Sequence, residues 1–88
     1  MAGTFTLAIL TPERSVFEGE VEYCQVPGTE GYLGVLPHHA ALVTALQPGT
    51  LTLRKGGGGE ERWTVTGGFF EVSDNQATVL ADSIREGE

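Results

Sequence analysis

The chain has 88 residues, enough for one domain, with 40% hydrophobic residues and five basic side chains against twelve acidic ones, a net charge of −7. That balance excludes nucleic acid, whose phosphates are neutralised by Lys and Arg, and it excludes docking on an anionic lipid surface. Cys24 is the single cysteine, so no internal disulfide closes, and a reducing compartment fits.

The opening MAGTFTLAIL has no basic run, and its apolar stretch is short and broken by Thr. It reads neither as a signal peptide nor as a membrane span, which needs about 20 apolar residues. Phe5, Leu7 and Ile9 alternate with Thr4, Thr6 and Ala8, the period of a half-buried strand. EVEYCQV mixes parities, with Val21 and Tyr23 on one and Cys24 and Val26 on the other. A strand covered on both faces would account for it, with Cys24 as a small buried hydrophobe.

PGTEGYLGVLPHHAAL, residues 27 to 42, breaks the strand pattern with glycines and prolines. Pro27-Gly28 suits a type II turn. Gly31 and Gly34 allow sharp bends or close backbone approach, and Pro37 ends any helix or central strand. Glu30 and Tyr32 stand exposed between them, as on a docking surface; a plain surface crossover fits the residues equally. AALVTAL reads as a short strand or one helical turn.

TLTLRK sets Leu51 and Leu53 against Thr50, Thr52 and Arg54, and RWTVT puts Trp63 and Val65 on one face. Gly56 to Gly59 join these runs as a flexible turn. QATVLAD sets Ala77, Val79 and Ala81 against Thr78, Leu80 and Asp82. Asp74-Asn75 links it to FFEVS through residues that tolerate positive φ. The terminal SIREGE is polar and is expected to fray. Roughly eight to ten short strands and no helix imply an all-β sandwich or flattened barrel, one domain over residues 1–88 without linker or repeat.

Motifs for chemistry fail on inspection. A phosphate loop needs Lys and then Ser or Thr after its glycines, whereas Glu60 and Glu61 follow Gly59. Ser73-Asp74-Asn75 matches one β-lactamase element without its companions. His38-His39 are adjacent, so on an extended chain they point apart, and no zinc-ligand spacing surrounds them. There is no G-x-S-x-G elbow, and Glu60-Glu61 and Glu20/Glu22 read as solvated faces. No catalytic residue, cofactor or metal site is expected.

Four segments in order carry a resemblance: TPERSVFEGEV at 11 to 21, PGTEGYLGVLPHHAALVTALQPGTL at 27 to 51, VTGGFFEV at 65 to 72 and ATVLADS at 77 to 83. Together they resemble the N-terminal domain of the epsilon subunit of the F-type ATP synthase. The resemblance implies a flattened β-sandwich of about ten strands in two packed sheets, in agreement with the period-two reading. It also implies a non-catalytic rotor subunit of the central stalk. Such a subunit binds the gamma subunit, sits on the c-ring below the catalytic head, and supports the coupling of proton translocation to ATP synthesis. It lies peripherally on the cytoplasmic face of a bacterial inner membrane, without lipid insertion.

Carried over by position, Glu30, Gly31 and Tyr32 face the c-ring, and Thr11, His39 and Thr44 face gamma. The family continues into a C-terminal helical hairpin that inhibits ATP hydrolysis, in some members binding ATP. Residues 1–88 contain no such pair, so neither inhibition nor nucleotide binding is expected of them. Ala41 replaces a common proline, and the tetraglycine replaces a more polar tip. The rival readings are an unrelated β-sandwich binding module and an enzyme. The latter would require a pocket holding His38 or His39 beside a carboxylate of shifted pKa.

Overall fold

A computed structural model describes residues 3–86, and all of its regular structure is strand. In chain order the strands are β1 (Phe5–Leu10), β2 (Ser15–Gly28), β3 (Gly31–Val35), β4 (Leu42–Leu46), β5 (Gly49–Lys55), β6 (Glu60–Val65), β7 (Gly68–Ser73), β8 (Gln76–Ala81) and β9 (Ile84–Glu86). The nine strands fall within the expected range. AALVTAL resolves as the strand β4. The end of the chain does not fray up to Glu86, because Ile84, Arg85 and Glu86 pair with Val65, Thr64 and Trp63 of β6. Met1, Ala2, Gly87 and Glu88, the ends of the expected 1–88 domain, lie outside the described residues.

The strands form one continuous hydrogen-bonded network that folds over itself into two layers, within extents of 34 × 24 × 21 Å. β2 makes this possible. Its first half pairs with β1, its middle with β5 and its end with β3, and Gly28 reaches β4. The order β1-β8-β7-β4-β2 returns to β1, so one side closes as a ring, while β5, β6 and β9 extend from β2 on the other. β1 and β8 run parallel, with Leu7 opposite Ala77 and Ile9 opposite Val79.

Alternation decides what is buried. Phe5, Leu7, Ile9, Leu51, Leu53, Val65, Ala77, Val79 and Ala81 fill the core as their parity requires. Among the described residues no polar or charged side chain is fully buried. The mixed parity of EVEYCQV has a different cause from the one expected. A bulge between Val21 and Tyr23 inserts one residue, so Val21, Cys24 and Val26 all reach the same core. Tyr23 stays on the outer face, where its hydroxyl would stand 3.0 Å from a Cβ on Gly34. Gly34 is therefore a close approach inside β3, not a bend.

The turns are specific. Asp74 and Asn75 take φ of 53° and 62°, the left-handed pair of a type I′ hairpin whose twist matches the flanking strands. At the corner into β7, Gly67 and Gly68 have φ of 147° and 134°. A Cβ on Gly68 would collide with the Leu80 carbonyl oxygen. The Gly56–Gly59 turn is closed by Lys55 N–H to Gly59 C=O at 2.8 Å and Gly58 N–H to Lys55 C=O at 2.9 Å. Pro27 and Gly28 do not form the expected type II turn. They are the last residues of β2, and the reversal falls at Thr29 and Glu30 with Gly31 at φ 127°. Pro27 is tolerated there because it sits opposite Tyr32 and its carbonyl accepts from Gln47 N–H at 2.9 Å.

Candidate interaction surface

The tip between β2 and β3 is built as a stiff projection. Thr29 N–H donates to Ala45 C=O at 3.1 Å, tying the turn to β4. Tyr32 is half-exposed, yet its hydroxyl accepts a hydrogen bond from Thr50 N–H at 3.2 Å. A Cβ on Gly49 would lie 2.7 Å from Pro27 Cβ and 2.9 Å from the Tyr32 hydroxyl, so the bare backbone of β5 is what lets this ring settle. Glu30 and Gly31 are exposed, Glu30 as its place between the glycines suggested. These three residues therefore share one projection fastened to both layers.

The three other positions do not share one spot. Thr11 closes the β1–β2 connection: its N–H donates to Arg14 C=O at 2.9 Å and its Oγ1 accepts from Arg14 N–H at 3.3 Å. His39 lies at the opposite end of the β1-β8-β7-β4 layer, half-buried, with Nδ1 2.8 Å from the Ala40 carbonyl. Next to it His38 takes φ of 65° and gives its N–H to Asn75 Oδ1 at 2.7 Å. Thr44 is opposite the buried Phe70 and is itself part-buried. It lines a concavity of about 390 Å³ together with Thr29, Glu30, Tyr32 and Leu33. The structure thus joins Thr44 to the Glu30–Tyr32 tip and sets Thr11 and His39 at the two ends of one layer.

Between Thr11 and His39 lies a surface that positional reasoning missed. The register places Leu10 opposite Leu80, Leu80 opposite Phe69, and Phe69 opposite Ala45. Phe69 is 57% exposed and Leu80 49% exposed, so this cross-strand row is apolar on the outside of the layer. Val43, 70% exposed, stands one row away opposite Glu71. At the Thr11 end, Leu10, Thr11, Pro12, Phe69, Leu80 and Asp82 line a hollow of about 250 Å³. The signal was present in the sequence: Phe69 and Leu80 sit on the parity that should be polar, beside Phe70 and Val79 on the buried one.

The rest of the chemistry is quiet. Burial pushes the Cys24 thiol up to about 12, so it stays protonated and unreactive. The Glu20 carboxylate is held below its ordinary value by hydrogen bonds from Thr4 at 2.7 Å and Thr6 at 2.9 Å. Neither His38 nor His39 lines the concavities described above. Among the described residues no group of three or more His, Cys, Asp or Glu side chains gathers to hold a metal ion, and no helix is long and apolar enough to cross a membrane.

The family described as "ATP synthase, Delta/Epsilon chain, beta-sandwich domain" matches residues 4–87. The chain belongs to that family. It is 44% identical over 88 residues to the ATP synthase epsilon chain of Desulfitobacterium hafniense, covering all of this chain and 66% of that one. It is 46% identical over 85 residues to the epsilon chain of Moorella thermoacetica, covering 97% and 63%. The chain thus spans just under two thirds of the length of these curated relatives.

Among solved structures, a chain of a Euglena gracilis mitochondrial ATP synthase assembly superposes with a TM-score of 0.89 at 24% identity, covering 94% of this chain and 53% of that one. A chain from the central stalk and c-ring of the Tetrahymena thermophila mitochondrial ATP synthase gives 0.77 at 20% identity, covering 92% and 65%. Both likenesses establish the fold.

Proposed function

We propose that this sandwich is a non-catalytic part of the ATP synthase rotor, joining the gamma subunit to the c-ring beneath the catalytic head. The observation that carries this reading is the outer row Leu10–Leu80–Phe69–Ala45, in which Phe69 and Leu80 are exposed, with the exposed Val43 beside it. Such a patch loses free energy in water and gains it when a partner covers it. Thr11 and His39 bracket this face, and gamma is the partner assigned to it.

Glu30, Gly31 and Tyr32 form the contact with the c-ring. A joint that passes torque works best when its contact atoms are fixed before docking. The bonds Thr29–Ala45 and Tyr32–Thr50 supply that fixity. Thr44 lies where the two contacts meet. The domain, taken as residues 1–88, sits peripherally on the cytoplasmic face of a bacterial inner membrane as part of the complex, and it uses no cofactor.

The test is retention of purified gamma by the immobilised chain. Phe69→Ser removes the centre of the apolar row, and it is expected to weaken retention about tenfold or more, the effect of losing a central aromatic anchor. The fold should survive, because Phe69 points outward. Glu30→Lys should leave gamma binding intact and weaken association with the c-ring. Failure of the unaltered chain to retain gamma at micromolar concentration would remove the reading.

A further inference from the structure

β4 is paired with β7 along its whole length, from Leu42 opposite Val72 to Leu46 opposite Gly68. Its other edge meets β2 only where Leu46 faces Gly28. One more bond follows, Thr29 N–H to Ala45 C=O at 3.1 Å, and then the pairing stops because the chain turns at Thr29 and Glu30. In an antiparallel strand the N–H and C=O of one residue point to the same edge, and the edge alternates from residue to residue. Ala45 directs its carbonyl toward β2, so Val43, two residues away, presents both N–H and C=O on that side. Among the described residues no strand lies opposite them. The concavity of about 390 Å³ opens there, between the tip and Leu42–Thr44.

Edge strands are usually blunted by charge, proline, glycine or shortness. The first half of β2, whose edge away from β1 has no strand beside it among the described residues, carries Glu18 and Glu20, β3 carries Gly31 and Gly34, and β9 has three residues including Arg85 and Glu86. The Leu42-Val43-Thr44 edge carries no charge, proline or glycine, although Val43 is 70% exposed. Among the described residues Glu30 is the one charged side chain lining the slot, in a chain of net charge −7. The floor is apolar, from Leu33 and Leu42.

We infer that this slot takes an extended, basic segment of a protein partner, which adds as a strand along Leu42–Thr44. Its backbone bonds to the N–H and C=O of Val43, and a Lys or Arg side chain sets its charge against Glu30. Main-chain pairing of this kind supplies affinity, while the alternating side chains supply selectivity. Alternate residues of the added strand face the floor of Leu33 and Leu42, and the others extend the outer surface beside Val43. The uncovered edge and the single carboxylate carry this inference; it shares Glu30 and Val43 with the rotor reading and so rests on the same tip and face.

The experiment uses the isotope-labelled full chain and an acetylated, amidated hexapeptide of alternating lysine and valine. The readouts are amide shifts and the water-exchange rate of each amide. At about 1 mM peptide, near the Kd expected of so short a strand, about half the sites are filled, so the Val43 amide should exchange roughly twofold more slowly, with shifts at Glu30 and Thr44. A fully N-methylated peptide should produce neither effect, and a glutamate-for-lysine peptide should bind at least threefold more weakly. Glu30→Gln should erase that preference while leaving the protection at Val43. Unchanged exchange at Val43, or equal slowing by the N-methylated peptide, overturns strand addition. Equal binding of the lysine and glutamate peptides overturns the basic partner. The probe contains no ATP synthase subunit, so its failure leaves the gamma-retention result standing, and the reverse holds as well.

Discussion

His38 gives its backbone N–H to Asn75 Oδ1 at 2.7 Å, and both residues hold left-handed φ, 65° and 62°. The same Asn75 side chain donates through Nδ2 to the Thr4 carbonyl at 2.9 Å. One amide thus fastens the start of β1 and the loop before β4 to the β7–β8 turn. Asn75→Gly keeps the turn and deletes the clamp, and it should cost about 1–3 kcal/mol for two hydrogen bonds. Asn75→Ala loses the clamp and adds roughly 1–2 kcal/mol of left-handed strain. Urea unfolding should therefore rank wild type above glycine and glycine above alanine. Equal stability of the glycine variant and wild type would show that the clamp holds nothing.

Two glycines with positive φ should respond very differently to the same methyl group. Gly57, at φ 90°, has open space around a Cβ, so Gly57→Ala meets only the backbone penalty of about 1 kcal/mol. Gly68, at φ 134°, would drive its Cβ into the Leu80 carbonyl of the paired strand. Gly68→Ala should cost roughly 3 kcal/mol or more, of order the largest single-residue effects, or should prevent folding. Thermal unfolding of the pair, with Gly57→Ala as the folded control, measures the difference.

Cys24 has no exposed surface, and its thiol is pushed up to about 12 from an ordinary 9.0. A disulfide reagent at pH 8 should leave it untouched in the native chain and label it once the chain unfolds in urea. Because the folded value is raised, the stability tied to the neutral thiol is complete below pH 9. It is lost as pH climbs from there toward 12. Cys24→Ala should flatten that alkaline decline and, by leaving a small cavity, lower stability at neutral pH by about 1 kcal/mol. Rapid labelling of native protein would contradict the burial.

The layers of the fold were legible in the residues because burial in a sandwich is written in parity. Phe5, Leu7 and Ile9, Leu51 and Leu53, and Ala77, Val79 and Ala81 each point inward as their alternation demands. The Asp74-Asn75 turn was legible because few residues accept its φ. The bulge after Val21 was not: an inserted residue and a strand covered on both faces leave the same mixed pattern, and only the register against Lys55 and Arg54 separates them. The reversal after Pro27 was misplaced by two residues, since a proline beside a strand end fits either the turn or the last pair of the ladder. Of the candidate site, the exposure of Glu30 and Tyr32 could be read directly. Phe69 and Leu80 stood out one by one on the polar parity, but their joining with Leu10 and Ala45 into one outer row could not be read, because it exists only once the parallel pairing of β1 with β8 brings sequence-distant strands together.

Glu20 links that first strand to acid stability. Its carboxylate accepts from Thr4 and Thr6, and these two bonds, Thr4 first, hold its pKa below the ordinary 4.5 against a small opposing effect of burial. A carboxylate with a lowered folded value contributes stability that is complete above 4.5 and lost as pH falls through the folded value. Glu20→Gln should therefore narrow the gap between stability at pH 7 and at pH 3, while the unaltered chain shows the steeper acid decline. Thr4→Val removes one donor without touching the charge and should reproduce part of that flattening. An acid unfolding curve identical in all three proteins would place the lowered carboxylate elsewhere.

The tip offers the sharpest separation of structural from binding roles. Tyr32→Phe removes the acceptor for Thr50 N–H and keeps the ring over Pro27 and Gly49. It should cost about 1 kcal/mol in urea unfolding, the usual worth of one such bond. Tyr32→Ala also strips the ring from this packing and should cost more. Glu30→Lys changes an outside residue with no side-chain bond among the described residues, so stability should stay within about 0.5 kcal/mol. If Glu30→Lys weakens association with the c-ring while Tyr32→Phe does not, charge at the tip governs the contact. If only the Tyr32 variants weaken it, the stiffness of the projection does.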